Sequence, residues 1–148
     1  MSSLITFIQT LTTTWTGSPS MPSAAVEIVS FGYLHGEPPP AHLIVDLRHH
    51  FKDPHVSPEL RCMTAHDEPV RATVLGTPGI THLVQATASA VLAFLAGPNA
   101  GTVTVADGCA GGRHRAPTFA MALADLLMRM GVAVDLHHRD LSKPVVQR

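Results

Sequence analysis

The chain has 148 residues, enough for one domain with a core of its own and too few for two of ordinary size. Ten Lys and Arg against eleven Asp and Glu leave a net charge of −1, which argues against a general polyanion-coating role. With 45% apolar and 14% charged residues, and no apolar run near the roughly 18 residues of a membrane helix, the composition is that of a soluble, folded protein.

Residues 1–24 are rich in Thr, Ser and Pro, lack a sustained period, and read as a flexible leader. The leader has no basic residue ahead of its apolar patch Leu4–Ile8, so it is a poor secretory signal. Together with only two cysteines, Cys62 and Cys109, this predicts reduced thiols and a cytoplasmic location. The domain is expected over 25–148. Its first strand is AVEIVS, ended by Phe31 and Gly32, and a second, HLIVDL, follows a proline turn. Both are short and mostly apolar, as buried strands are.

From Arg48 to about Pro78 the chain reads as a long irregular loop with prolines at 54, 58, 69 and 78, and loops of that length in compact domains tend to be functional. Ile80, Leu83, Val84, Val91, Leu92 and Leu95 then fall at helical spacing, with Gly97 and Pro98 as the stop. TVTVA predicts a strand, 117–130 a helix with Pro117 in its first turn and Gly131 after it, and VAVDLHH the last strand. Residues 102–138 thus form a βαβ unit, which predicts parallel pairing. The fold class expected is a small layered α/β domain with a mostly parallel sheet.

Eight of the ten cations are Arg, the fork-shaped donor suited to phosphate, and none precedes Arg48. DGCAGGRHRAP, residues 107–117, lies between a predicted strand and the start of a helix, where α/β folds bind anions. Gly108, Gly111 and Gly112 allow close backbone approach, and Arg113, His114 and Arg115 bring positive charge, so a phosphate cradle is expected. Cys109 and Arg115 also have the spacing of cysteine-dependent phosphatases, whose thiolate attacks phosphorus inside an arginine-lined loop. However, Gly108 stands where those enzymes carry His, and Ala116 where they carry a hydroxyl residue. Asp53 or Asp67 are the candidate acids for that chemistry.

Asp46 and Arg48 end the second strand at the sheet edge where the glycine loop opens, so both are candidates for the same pocket, with a plain ion pair as the alternative. His55, Arg61 and Thr64 are further polar candidates. His49, His50, His55, Cys62 and His66 match no zinc spacing, so no metal is expected, and G-x-x-x-x-G-K-[ST] occurs nowhere in the sequence. No cofactor is implied.

SFGYLHG (30–36), VDLRHHFKDPHVSPELRCMTAHDEPV (45–70), GCAGGRHR (108–115) and HHRDLSK (137–143) together resemble the C-terminal domain of the RapZ family of bacterial RNase adapter proteins. The resemblance covers about 25–143, without the family's kinase-like P-loop domain. It implies a fold like the sugar-phosphate-binding subdomain of phosphofructokinase. It also implies a sensor or adapter, rather than a catalyst, that binds glucosamine-6-phosphate and in some members small regulatory RNAs and an endoribonuclease, and it points to self-association. By motif, His55, Gly111 and Arg115 occupy positions used for the sugar phosphate, and Asp46, Arg48 and Cys109 line the same site. This chain departs from the pattern at Ala110 and Ala116, where the family carries hydroxyl residues, and has one extra residue between Asp46 and His55. Its basic tail is reduced to Lys143 and Arg148.

Overall fold

The computed structural model describes residues 24–148; all of the leader but Ala24 lies outside them. Four strands, β1 (Val26–Gly32), β2 (Leu43–Asp46), β3 (Val103–Cys109) and β4 (Val134–His138), form one all-parallel sheet in the order β2-β3-β1-β4. Three helices accompany it: α1 (Glu68–Leu75), α2 (Ile80–Leu95) and α3 (Arg115–Arg129). The α/β class with a parallel sheet is as expected. The βαβ expectation needs one correction: β3 and β4 run parallel but do not pair, because β1 lies between them and bonds to both.

Strand register sorts side chains by face. Val26, Ile28, Val103 and Val105 point to the helix side and are buried with Val70 and Val74 of α1, Ile80, Val84 and Val91 of α2, and Phe119, Leu123 and Leu127 of α3. The α3 positions recur every four residues as one stripe, while 115–120, the first six residues of the helix, are all buried. The opposite face bears Glu27, Ile44, Asp46, Asp135 and His137, all exposed. Toward the C-terminal strand ends Phe31 covers Gly108, and a Cβ at Gly108 would overlap both the Phe31 ring and Tyr33.

Two helices differ from expectation. Helix α1 lies inside the stretch expected to be loop, with Pro69 in its first turn, where its missing N–H costs nothing. Helix α3 begins two residues early, at Arg115, so Arg115 is the first helical residue and Pro117 the third. Parallel pairing brings the strand ends Gly32, Asp46, Cys109 and His138 to one edge, and the 109–115 loop crosses it.

Candidate functional site

Gly112 shapes that loop. It has φ +75, and a Cβ there would sit 2.8 Å from the Gly32 amide nitrogen and 2.9 Å from Asp140 Cβ, so the loop and the end of β1 touch through backbone. The Gly112 N–H points inward to Cys109 Sγ at 3.3 Å. Cys109 is 3% exposed. Helix α3 starts at Arg115 with His114 as its N-cap residue and no side-chain cap; Pro117 carries no N–H and the Thr118 N–H bonds to the His114 carbonyl, so the first turn leaves the amides of Arg115 and Ala116 without a capping side chain.

Arg115 is 2% exposed, yet it is an arginine. Its Nη1 donates to the carbonyls of Arg48 (3.0 Å) and Phe51 (3.4 Å), its Nη2 lies 3.1 Å from Asp53 Oδ2, and its Nε has no partner among the described residues. Arg113 donates to the carbonyls of Lys143 and Cys62 and leaves Nε likewise without a partner. His114 Nε2 contacts the Met63 carbonyl at 2.8 Å. These bonds fasten the 48–67 loop and the 143–148 segment around the glycine loop. The cleft so formed is lined by Asp53, His55, Cys109, Gly111, Arg113, His114, Arg115, Val145, Val146 and Arg148.

Three guanidiniums against one carboxylate give the cleft a positive field. Burial pushes the Asp53 carboxyl up, but the His55 N–H, Arg148 and Arg115 outweigh it and hold it below the usual carboxylate range. Burial, and for His55 also Arg148, lowers both His55 and His114, so at neutral pH each ring is uncharged; His114 commits its one N–H to the Met63 carbonyl and keeps Nδ1 as an acceptor, while His55 has one donor and one acceptor.

Of the residues singled out from the sequence, the structure brings His55, Cys109, Gly111, Arg113, His114 and Arg115 to one cleft, with Gly112 forming the backing of its loop. Asp46 and Arg48 are not brought there. Asp46 lies on the opposite sheet face, accepts from Arg48 Nε and Nη2 (3.0 and 2.7 Å), and is held low by those hydrogen bonds, while the Arg48 guanidinium lies 3.6 Å over the Tyr33 ring. Arg48 reaches the cleft only through its carbonyl. Arg61 is turned to the His55 carbonyl, and Thr64 caps the turn before α1. Among the described residues no cluster of three His, Cys, Asp or Glu could hold a metal.

Asp53 was expected only as a candidate acid for the phosphatase chemistry, and the 145–148 segment was not foreseen as part of a binding site. Asp53 stands two residues before His55, and its Oδ1 caps the 3-10 turn Pro54–Val56 through the His55 amide, which was the available signal. Arg148, 95 residues away in sequence, pairs with Asp53 Oδ2 at 2.6 Å.

Comparison with known proteins identifies the family. The RapZ C-terminal domain model matches residues 24–142. The chain belongs to that family. Among similar proteins, one from Clavibacter michiganensis subsp. michiganensis is 39% identical over 122 residues, which is 80% of this chain and 42% of that protein. One from Thermobifida fusca is 39% identical over 119 residues, 78% of this chain and 40% of the relative, and one from Heliobacterium modesticaldum is 37% identical over 122, covering 80% and 40%. Each of the three is named a nucleotide-binding protein. The chain thus spans about two-fifths of the length of these relatives. Among the described residues no single helix is long and apolar enough to cross a membrane.

Proposed function

We propose that this domain binds a small phosphorylated ligand, a phosphomonoester of the amino-sugar phosphate kind, and serves as a metabolite-sensing adapter module in the cytoplasm. The observation that carries the reading is Arg115: a buried guanidinium at the start of α3, with Nε lacking a partner, facing a cleft that also holds Arg113 and Arg148. Bare helix amides and a planar fork are complementary to a tetrahedral oxyanion. The neutral His55 and His114 rings supply hydrogen bonds of the kind sugar hydroxyls use. The name nucleotide-binding belongs to relatives of which about three-fifths lies outside the match, and no P-loop sequence occurs here. A phosphate-bearing metabolite is the ligand class that both that name and the cationic lining of this cleft support.

Partner roles extend the same reading. Family resemblance supports a small RNA and an endoribonuclease as recipients of the signal, and self-association of the domain. The test of the core claim is calorimetric titration of the full chain with hexose phosphates and amino-sugar phosphates. Arg115→Ala is expected to weaken binding about 10- to 100-fold, since charge-assisted hydrogen bonds contribute about 1.5–3 kcal/mol each. Arg115→Lys retains part of the affinity. Equal affinity in wild type and Arg115→Ala refutes the assignment.

A further inference from the structure

We propose that Asp53 sets the charge selectivity of the cleft: its carboxylate occupies the arginine fork an incoming anion must take, so a doubly charged phosphomonoester displaces it and a singly charged phosphodiester does not. This rests on the reading of the cleft as a phosphate site and adds what the site rejects.

The two oxygens of Asp53 do different things. Oδ1 accepts the His55 N–H at 3.0 Å and caps a turn. Oδ2 lies 3.1 Å from Arg115 Nη2 and 2.6 Å from Arg148 Nη1, bridging the buried guanidinium of α3 and the one brought by the 145–148 segment. Its side chain is 19% exposed, so solvent screening of this triad is limited. Among the residues lining the cleft Asp53 carries the one side-chain carboxylate, and it sits on the cations rather than apart from them.

A carboxylate tethered in place competes at an effective concentration of about millimolar or above. An anion of the same single charge gains nothing by replacing it, because it exchanges one charge-assisted pair for another and loses its own hydration. A dianion offers a second unit of charge and a third oxygen, enough for both guanidiniums at once, while Asp53 turns to solvent with its Oδ1 cap intact. The phosphates of a nucleic-acid backbone are singly charged diesters, so this filter works against them.

Asp53→Asn separates the two roles, since the amide oxygen keeps the cap and the charge is removed. The experiment titrates methyl phosphate, inorganic phosphate and dimethyl phosphate into wild type and Asp53→Asn at pH 8, where methyl phosphate is a dianion. Wild type is expected to bind methyl phosphate at least about tenfold more tightly than dimethyl phosphate, and Asp53→Asn to gain at least about tenfold for dimethyl phosphate, so that the preference collapses. In unmodified protein, the Asp53 carboxyl carbon resonance shifts when methyl phosphate is added and stays in place with dimethyl phosphate. An unchanged preference in the variant, or an Asp53 resonance that ignores bound methyl phosphate, overturns the selectivity role and leaves the phosphate site standing. Failure of both proteins to bind methyl phosphate and inorganic phosphate overturns the site itself.

Discussion

Replacing Asp140 by Asn tests how the roof of the cleft is held. Asp140 is fully buried just after β4. Its Oδ2 accepts from the Gly32 N–H at 2.7 Å and from Arg139 Nε at 2.9 Å, and Lys143 Nζ pairs with its Oδ1 at 2.6 Å. Burial pushes the carboxyl up, but Arg139, the Gly32 amide and Lys143 together bring it from 3.8 to about 2. At about 1.4 kcal/mol per unit that difference is worth about 2 to 3 kcal/mol of folding stability. The folded value lies below the unfolded one, so the contribution is complete above pH about 4 and is lost as pH falls toward 2. Urea unfolding of wild type and Asp140→Asn from pH 7 to pH 2.5 is the assay. The variant is expected to be less stable by about 2 to 3 kcal/mol at pH 7, with the gap closing over the acid window. A gap under about 0.5 kcal/mol at pH 7, or one that persists unchanged to pH 2.5, refutes the reasoning. Because the Lys143 carbonyl accepts from Arg113, the variant should also bind phosphate ligands less tightly.

Asp107, wholly buried in β3 with no partner among the described residues, has its carboxyl pushed well up by burial. Asp107→Val should therefore stabilise the domain by about 1–3 kcal/mol, and the gain should grow as pH rises above 4, as urea unfolding at pH 5 and 8 would show; a destabilised variant at both pH values contradicts this. Wild type and Cys109→Ser should show no hydrolysis of an activated aryl phosphate, since Cys109 is buried and Asp53 is held ionised by two arginines and so is a poor general acid; thiol-dependent turnover would revive the phosphatase alternative. RNA should bind no more tightly than about micromolar and with a steep salt dependence in gel shifts, and a nanomolar, salt-insensitive complex counts against the diester filter.

Elements with a long period were legible in the sequence. Helix α2 was read to its exact ends because six apolar side chains repeat along 16 residues. Helix α1 was not, because eight residues hold only one buried pair, Val70 and Val74, too short to show a period, and Pro69 read as a breaker. β3 was cut short at Ala106 because Asp107 and Gly108 are poor strand formers, kept in the strand here by pairing on both sides with β1 and β2. In the cleft, the 109–115 loop was visible since its glycines and cations are contiguous. Asp46 and Arg48 come to the edge where the loop opens, but they pair with each other on the other face of the sheet, a matter of strand parity that short, mostly apolar β2 does not reveal. Arg148 was seen only as a leftover tail cation, since its pairing with Asp53 spans most of the domain.

The central place of β1 bears on how the molecule is made. Its first neighbour, β3, and its second, β4, are both synthesised long afterwards: Ser30 meets His138 across 108 residues, and on the far edge His42 meets Thr104 across 62. There is no hairpin anywhere in the sheet to act as a seed, so each ladder requires closure of a large loop before it returns any stabilisation. A nascent chain emerging from the ribosome therefore carries β1 and β2 as unpaired apolar strands until β3 arrives, and folding is expected to be late, all at once, and slow for a domain of this size.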